Sequence, residues 1–329
     1  MHRTKTQIPT LAIIGLGFWG EKLLHTCRAL KIPLVIYDMD KKRVTQIKKQ
    51  YPDISIAATA DDIFTDIAVD ACIIATPPFT HYLLAKQALT HKKHILIEKP
   101  MTQNANEAKH LVNIAKKNRR IIMVDHIYLF SPVVHTVKRL IQQDTIGKIR
   151  QLVSVRGTGR MHPGSSVLWD LAPHDIAIAA FLLDNNPLRA RALPNGQLHS
   201  KQPADAIYLL SYPGSIVLQG QVSWTTPVKK RSLEIIGEKG AITVEWQEGT
   251  EMLTVYKAAM RMGQLYYTRR KQQILTPVNT PMRRMLEHFI SHISRGTNPI
   301  PDGAHAQKNI QIITALHRSL MQNGATIRL

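Results

Sequence analysis

The chain has 329 residues, which is enough for two domains of ordinary size. Its hydrophobic fraction of 44% is typical of a globular protein, and no apolar run approaches the roughly 20 residues that a membrane-spanning helix needs. The formal net charge of +20 reflects a shortage of acids, because charged residues make up only 20% of the chain and the bases are dispersed. We therefore expect no nucleic-acid and no membrane partner, and a surface that favours anionic ligands such as nucleotides and phosphate esters.

The start of the chain and its cysteines indicate the compartment. Met1 to Pro9 is polar and basic and lacks the apolar segment of a secretory signal, so we expect a cytoplasmic protein. Cys27 and Cys72 are the only cysteines and form no C-x-x-C pair, which predicts neither a disulfide framework nor a zinc site. We expect two buried, reduced thiols and no metal cofactor.

The stretch from Leu11 to Asp38 predicts a dinucleotide-binding βαβ unit. An apolar strand leads into a G-x-G-x-x-G turn, a helix follows, and a second apolar strand ends in an acid. Three glycines at this spacing permit a tight turn, the approach of a pyrophosphate and close helix packing, and the helix N-terminus offers free N–H groups to phosphate. The predicted cofactor-binding residues here are Gly15, Gly17, Phe18, Trp19, Gly20 and Asp38.

Asp38 bears on the choice of cofactor. Its carboxylate would accept hydrogen bonds from both ribose hydroxyls of NAD and repel a 2′-phosphate. Lys41, Lys42 and Arg43 follow closely and would instead attract the 2′-phosphate of NADP. We predict NAD, with NADP as the alternative.

The first 125 residues alternate strand and helix patterns and predict an α/β domain, a doubly wound parallel sheet of the Rossmann type. The carboxyl ends of its strands share one edge, where ligands bind. Two loops follow strands at that edge. The first loop is Ala75-Thr76-Pro77-Pro78, with His81 nearby, and we predict that Thr76, Pro77 and His81 form a wall of the cofactor groove. The alternative is a plain strand-to-helix turn. In Glu98-Lys99-Pro100, the lysine would point into the crevice where the nicotinamide must lie.

Residues 126–329 predict a second, α+β domain with an open antiparallel sheet. Helix patterns cover Ser131–Gln143 and Asp170–Leu183, and two closing helices end the chain. Strand patterns lie between them at Lys148–Arg156, Ala206–Tyr212, Ser215–Ser223, Arg231–Gly237, Ala241–Trp246 and Met252–Lys257. A sheet with one uncovered face favours association, so we expect a homodimer or homotetramer.

The segment from Trp169 to Asp175 carries a candidate proton-handling pair. Asp170 and His174 are four residues apart and face the same way on a helix. A carboxylate and an imidazole in this arrangement suit general acid–base chemistry, and a capping aspartate beside a hydrogen-bonded histidine is the alternative. Arg156 and Arg160 precede the segment and either grip an anionic group such as a diphosphate or are exposed, solvated side chains.

In their order and spacing, these motifs resemble the glucose–fructose oxidoreductase / inositol dehydrogenase (Gfo/Idh/MocA) family. The resemblance rests on the glycine turn, Ala75-Thr-Pro-Pro, Glu98-Lys99-Pro100 and Asp170-x-x-x-His174. It implies a Rossmann domain, an open-sheet domain through which chains pair, and NAD(P)-dependent oxidation of a sugar-type hydroxyl without metal. It also implies that Lys99, Asp170 and His174 face the substrate and that Glu98 faces the nicotinamide ribose.

A finer resemblance concerns the substrate. The sequence from Trp169 to Asp175, with Asp125-His126-Ile-Tyr128 upstream, is similar to that of a branch of UDP-N-acetylglucosamine 3-dehydrogenases. This resemblance makes Trp169 and His126 candidate substrate contacts. We therefore predict a sugar or nucleotide-sugar substrate, with His174 as the base, Lys99 stabilising the reacting oxygen, and Asp170 orienting His174 or holding a neighbouring hydroxyl. The alternatives are an inositol, polyol or free-sugar dehydrogenase and, from another class, a non-catalytic NAD(P)-sensing transcriptional regulator.

Overall fold

The computed structural model describes residues 8–161, 166–195, 203–247, 250–261, 264–275 and 280–329. Most of the predicted lead-in at Met1 to Pro9 lies outside these residues. The chain forms two compact units. The N-terminal unit comprises Met1–Ile127 and Pro281–Ile310, and the C-terminal unit comprises Tyr128–Thr280 and Gln311–Leu329.

The N-terminal unit is built on a six-stranded parallel sheet. The strands lie in the order β3-β2-β1-β4-β5-β6, which is the order of doubly wound dinucleotide-binding folds, so the predicted fold class is confirmed. Strands β1 and β4 are buried at every position, because helices cover both faces of the sheet. The strands are β1 (Leu11–Ile14), β2 (Leu34–Tyr37), β3 (Ser55–Ile56), β4 (Ala71–Ile74), β5 (His94–Ile97) and β6 (Ile122–Val124). The helices are α1 (Phe18–Ala29), α2 (Lys41–Gln50), α3 (Ala60–Thr65), α4 (Pro78–Thr90) and α5 (Ala105–Asn118).

Side-chain caps fix where several of these helices begin. Asp40 accepts a hydrogen bond from the backbone N–H of Lys42 at 3.0 Å, and Asn104 accepts one from Asn106 at 2.7 Å. Such caps contribute about 1 kcal/mol each to helix stability. They hold the loops that precede α2 and α5, and both loops follow strand ends at the ligand-binding edge of the sheet.

The domain boundary differs from the prediction, which placed all of residues 126–329 in the second domain. Helix α8 (Thr280–Arg295) and the start of α9 (Gly303–Met321) cluster with the N-terminal unit. Met282 accepts a hydrogen bond at its sulfur from the Thr26 hydroxyl, at 3.2 Å. A Cβ at Gly303 would lie 3.2 Å from Ile122, so the backbone packs closely against β6. These contacts join residues far apart in sequence, which is why the local pattern did not indicate them.

The C-terminal unit is built on a nine-stranded sheet in the order β14-β13-β12-β11-β7-β10-β9-β8-β15. Every described pair of neighbouring strands is antiparallel except β7 and β10, which run parallel, so the sheet is mixed. Its helices are α6 (Pro132–Gln142) and α7 (Val167–Leu183). Its strands are β7 (Ile149–Gly157), β8 (Arg189–Pro194), β9 (Asp205–Ser211), β10 (Val217–Ser223), β11 (Lys230–Gly237), β12 (Gly240–Gln247), β13 (Thr250–Arg261), β14 (Gln264–Leu275) and β15 (Ile327–Arg328).

The two faces of this sheet differ in burial. On β9, Ala206, Tyr208 and Leu210 are fully buried, whereas Ile207 and Leu209 between them are about one third exposed, at 36% and 37%. This alternation means that one face packs on the core and the other is uncovered within the described chain. An apolar face of this kind is suited to association.

Two further findings concern the predictions from composition. Cys27 and Cys72 are both buried and free, and burial raises the pKa of each thiol to about 12, which makes both unreactive. Among the helices that the structure describes, none is long and apolar enough to cross a membrane.

A buried histidine connects two of the loops at the ligand-binding edge. The ring of His81, on α4, is fully buried and lies between two backbone carbonyls. Its Nε2 is 2.8 Å from the oxygen of Thr76, and its Nδ1 is 2.8 Å from the oxygen of Pro100. Burial lowers the pKa of His81, while the two carbonyl acceptors act in the opposite direction. The ring therefore ties the loop after β4 to the loop after β5.

We expect His81→Ala to lower the free energy of unfolding by about 2–4 kcal/mol, because it removes a buried ring and leaves at least one carbonyl oxygen without its donor. Urea denaturation followed by circular dichroism measures the change. His91→Ala is the matched control, since His91 bonds a carbonyl at the end of the same helix but is exposed. We expect the control to change stability by less than about 0.5 kcal/mol. Equal losses of unfolding free energy in the two variants would show that the His81 ring stabilises the fold no more than an exposed histidine does.

Candidate active site

The glycine turn between β1 and α1 is fixed by steric contacts. Gly15 has a φ of +97°, and a Cβ there would lie 2.7 Å from the carbonyl oxygen of Ala75. A Cβ at Gly20 would lie 1.9 Å from the oxygen of Gly15. Both positions therefore require glycine. Gly17 begins α1 with no side chain to cap it, so the first N–H groups of the helix remain available to a phosphate.

Asp38 lies directly beside this turn. Its Oδ2 accepts the N–H of Leu16 at 2.6 Å, and its Oδ1 accepts the N–H of Asp40 at 2.8 Å. Each carboxylate oxygen retains a lone pair with which to accept a ribose hydroxyl. Arg43 also reaches the turn, since its Nη1 lies 3.3 Å from where a Cβ of Gly17 would be, and its Nε pairs with Asp40 at 3.3 Å. The structure thus brings both predicted determinants of cofactor choice to the mouth of the turn.

Two aromatic side chains follow the turn on α1. Phe18 is 70% exposed and Trp19 is 37% exposed, with their rings edge to face at 5.9 Å. The ammonium of Lys22 lies 4.1 Å from the Phe18 ring and 5.0 Å from the Trp19 ring. Exposed rings beside a phosphate-binding turn offer apolar surface to a nucleotide.

The predicted groove wall after β4 is braced internally. The hydroxyls of Thr76 and Thr80 are 2.6 Å apart, and Thr80 also donates to the carbonyl oxygen of Pro77 at 2.7 Å. His81, which we predicted to contact the cofactor, is instead enclosed, with both ring nitrogens directed at backbone oxygens. Its geometry therefore favours a role in holding Thr76 and Pro77 in place over direct contact.

Buried acids follow β5 and β6 at the same edge. Glu98 is 9% exposed and Asp125 is 4% exposed. Within the described chain, no hydrogen bond reaches Oε1 of Glu98 or either carboxylate oxygen of Asp125. Burial and the charge of Asp125 raise the pKa of Glu98 well above its ordinary value, and burial raises that of Asp125. The charge of Lys99 acts on both pKa values in the opposite direction.

His126 lies next to this acid pair and carries no charge at neutral pH. Burial and the positive charges of Lys99 and His305 lower the pKa of His126 to about 4. Its neutral ring therefore offers one donor and one acceptor. His305 is itself paired with Asp302 at 2.7 Å, and this contact raises the pKa of His305. The sequence did not indicate the pairing of Asp302 with His305, because a carboxylate and an imidazole three residues apart at a helix start are common.

The N-terminal unit fits a dinucleotide. The glycine turn is too tight for a Cβ at Gly15 or Gly20, the first turn of α1 has no side-chain cap on its N–H groups, and Asp38 offers carboxylate oxygens. At the other end of the edge, the buried oxygens of Glu98 and Asp125 need donors, which hydroxyl and carboxamide groups supply. Within the described residues, no group of three or more histidine, cysteine and acidic side chains could hold a metal ion.

The C-terminal unit presents Asp170 and His174 on α7, as predicted from their spacing. Oδ2 of Asp170 accepts a hydrogen bond from Nε1 of Trp224 at 2.9 Å. The ring of His174 meets the ring of Tyr128 edge to face, with centroids 5.0 Å apart. Trp169 is partly buried on the same helix. Each member of the pair therefore contacts an aromatic side chain, Trp224 or Tyr128, to which the sequence analysis assigned no role.

Arg156 differs from the anion-binding side chain that the sequence predicted. It is 3% exposed, and its Nη2 and Nε donate to Oδ1 of Asp175 at 2.7 and 3.1 Å. Burial lowers the pKa of Arg156, but the charge of Asp175 and the hydrogen bonds with Asp175 and Tyr128 outweigh it and raise the pKa. The guanidinium is already occupied, which favours a positioning role. Arg160 is exposed, and its predicted contact with an anion stays a prediction. The predicted meeting of Lys99 and His174 involves both units and also stays a prediction.

Comparison with known proteins places this architecture in a family. Residues 10–126 match the oxidoreductase family with an NAD-binding Rossmann fold, and residues 134–243 match the Gfo/Idh/MocA C-terminal domain. An uncharacterized oxidoreductase of Escherichia coli, YdgJ, is 30% identical over 64% of this chain and 64% of its own length. The UDP-N-acetylglucosamine 3-dehydrogenase of Acidithiobacillus ferrooxidans is 26% identical over 55% of this chain and 56% of its own.

Solved structures share the fold across nearly the whole chain. The structure of that Acidithiobacillus enzyme superposes with a TM-score of 0.82 at 20% identity, covering 95% of this chain and 98% of that one. A levoglucosan dehydrogenase in complex with NADH superposes with a TM-score of 0.85 at 18% identity, covering 98% and 99%. With both of its family regions matched, this chain belongs to the Gfo/Idh/MocA family of oxidoreductases with an NAD-binding Rossmann fold.

Proposed function

We propose that this chain transfers a hydride between a secondary hydroxyl of a sugar and a nicotinamide dinucleotide, with a nucleotide sugar similar to UDP-N-acetylglucosamine as the substrate, oxidised at C3. The observation that carries the proposal is the set of buried, unpartnered carboxylate oxygens beside Lys99, at the same sheet edge as the glycine turn. A nicotinamide ribose satisfies such acceptors, and an ammonium there is suited to a reacting oxygen.

Each polar side chain has a role in this reaction. Bound NAD(P)⁺ would accept the hydride from the carbinol carbon. His174 takes the hydroxyl proton at an imidazole nitrogen, and Lys99 donates a hydrogen bond that stabilises the developing alkoxide. Asp170, fixed by the indole of Trp224, orients His174 or holds a neighbouring hydroxyl. His126 and Trp169 contact the sugar.

The nucleotide-sugar substrate is supported by the Acidithiobacillus relative and by the broadly positive charge of the chain, which suits a diphosphate. Arg160, exposed ahead of α7, is the side chain that would contact that diphosphate. A second candidate is an inositol or polyol dehydrogenase, since the scyllo-inositol 2-dehydrogenase (NADP(+)) of Bacillus subtilis is 24% identical over 53% of this chain and 51% of its own. A cofactor-sensing regulator without activity is disfavoured, because Lys99, Asp170 and His174 are all present.

We also propose that the enzyme works in the cytoplasm as a homodimer or homotetramer. The partly exposed apolar residues Ile207 and Leu209 lie on the uncovered face of the C-terminal sheet, and association would remove them from water.

A substrate panel tests the function directly. The purified protein is incubated with NAD⁺ or NADP⁺ and with UDP-sugars, inositols, polyols and free hexoses, and reduced cofactor is followed by absorbance. We expect turnover with UDP-N-acetylglucosamine or a close relative. Turnover with inositols alone would select the second candidate, and no turnover with any member would contradict the proposal.

His174→Ala is expected to lower kcat by about 10²–10⁴-fold, because the hydroxyl proton loses its acceptor. Lys99→Met is expected to lower kcat by about 10²–10³-fold through loss of the donor to the alkoxide. Steady-state kinetics measures both, and fluorescence titration checks that each variant still binds NAD⁺. His91→Ala, an exposed histidine outside the site, serves as the control. Near-normal turnover of either variant would remove that residue from its role.

Arg43→Ala is expected to weaken NADP⁺ binding by about tenfold and leave NAD⁺ binding unchanged, because only NADP⁺ carries a phosphate for the guanidinium to pair with. Asp38→Ala is expected to weaken NAD⁺ binding more than NADP⁺ binding. Isothermal titration calorimetry measures both affinities, and Lys49→Ala, at the far end of α2, is the control. Equal losses of affinity for the two cofactors in Arg43→Ala would show that this side chain does not distinguish a ribose 2′-phosphate from a 2′-hydroxyl.

A further inference from the structure

The ring of Tyr128 is the centre of an aromatic and cationic cluster in the C-terminal unit. It meets the His174 ring at 5.0 Å with an interplanar angle of 71°, and the Trp246 ring at 5.6 Å with an angle of 80°. Both are edge-to-face contacts of the kind that contributes to stability beyond area burial. The residue lies in a 3₁₀ turn at Ile127–Phe130, before α6 begins. The proposed reaction gives Tyr128 no role, although it is in direct contact with the proposed base.

A buried ion pair supports this ring. The guanidinium of Arg156 lies 4.5 Å from the centroid of Tyr128, within range of a cation–π interaction, and it also donates a hydrogen bond to the Tyr128 hydroxyl. Asp175 fixes that guanidinium through two hydrogen bonds, and the side chains of both partners are 3% exposed. Because Asp175 directly follows His174 on α7, the residue that anchors the support is part of the same helix turn as the base. The guanidinium thus has little freedom to leave the Tyr128 ring.

The ion pair is in turn anchored in the core of the sheet. The hydroxyl of Tyr208, which is fully buried, donates to Oδ2 of Asp175 at 3.3 Å. Burial raises the pKa of Tyr208 well above its ordinary value, which keeps this hydroxyl protonated as a donor. A Cβ at Gly220 would lie 2.0 Å from Cζ of Tyr208, so the phenol occupies space that only a glycine leaves open. The series from Gly220 to Tyr128 is therefore fixed at every step.

We propose that Tyr128 is a positioning residue for His174, and that the Arg156–Asp175 pair acts on His174 through the Tyr128 ring. This inference rests on the proposed role of His174 as the base. A general base must be held within hydrogen-bond reach of the proton that it takes, and a small misplacement of such a group is costly to the reaction. The edge contact fixes the plane of the imidazole, and the guanidinium fixes the ring that makes the contact.

The test separates the ring of Tyr128 from its hydroxyl. Tyr128→Phe keeps the edge contact, and we expect its kcat to stay within about twofold of the original chain. Tyr128→Leu removes the contact, and we expect kcat to fall about tenfold while the affinity for NAD⁺ is unchanged. Phe181→Leu is the matched control, because Phe181 makes the same edge contact with His135, at 5.5 Å, on α7 but away from His174. We expect its kcat to be unchanged.

A double-mutant cycle tests whether Arg156 acts through Tyr128. Arg156→Lys keeps a positive charge beside Asp175, so it avoids an unpaired buried carboxylate, but it loses the planar guanidinium over the ring. We expect Arg156→Lys to lower kcat several-fold, and Arg156→Lys combined with Tyr128→Leu to be no slower than Tyr128→Leu alone. Independent, additive losses would overturn the indirect action of Arg156.

A spectroscopic readout keeps this inference separate from the proposed function. In protein labelled with ¹⁵N-histidine, the His174 signals are assigned by their loss in His174→Gln and followed over pH. We expect Tyr128→Leu to shift the ring signals and titration of His174, and Tyr128→Phe and Phe181→Leu to leave them unchanged. Unshifted His174 signals in Tyr128→Leu, or equal effects of the Phe and Leu variants, would overturn the positioning role. Failure of every substrate in the panel would contradict the proposed function and leave this spectroscopic comparison intact.

Discussion

The imidazole of His81 is the constraint on which the ligand-binding edge of the N-terminal unit depends. It lies between the carbonyl oxygens of Thr76 and Pro100, and Pro100 directly follows Lys99. The loop that carries Thr76 also touches the glycine turn, because Gly15 has room for no side chain against Ala75. A continuous series of contacts therefore leads from the phosphate-binding turn to the proposed catalytic lysine. If the ring is lost, both loops lose their common support and the two ends of the cofactor site become independent.

Buried charge is balanced differently in the two units. In the N-terminal unit, burial favours the protonated form of Glu98, and the charge of Lys99 partly compensates the acid pair. In the C-terminal unit, Arg156 and Asp175 form a complete ion pair with two hydrogen bonds. Removal of one partner from such a pair costs about 3–5 kcal/mol, because it leaves a buried charge. The acid pair of the N-terminal unit leaves carboxylate oxygens that need a hydrogen-bond donor. The guanidinium of Arg156, in contrast, already has its acceptor in Asp175. The first is therefore suited to hold a ligand, and the second to hold another side chain.

Features encoded in short stretches of sequence could be predicted. The glycine spacing, the acid at Asp38 and the alternation of strands and helices each depend on neighbouring residues, and the parallel sheet follows from them. The four-residue spacing of Asp170 and His174 likewise placed both on one helix, α7.

Features that depend on contacts between distant segments could not be predicted. The burial of Arg156 depends on its ion pair with Asp175, which reaches it only once α7 packs on the sheet. The parallel pairing of β7 with β10 depends on a crossover connection, which the alternation of apolar and polar residues along each strand does not indicate. In the same way, nothing local to His81 indicates that the carbonyl of Pro100 will lie against its ring.

The placement of the site residues bears on how the substrate is selected. The proposed proton-handling groups and their supports lie on or directly after regular elements: Lys99 after β5, His126 after β6, and His174 on α7. Arg160, the proposed contact for a diphosphate, is exposed and follows the end of β7 outside any helix or strand. Residues on packed elements are held by many contacts, whereas an exposed loop tolerates change. A change in the anionic group that Arg160 contacts therefore requires only substitutions near that residue, and the contacts of Tyr128 with His174 remain to keep the base in place.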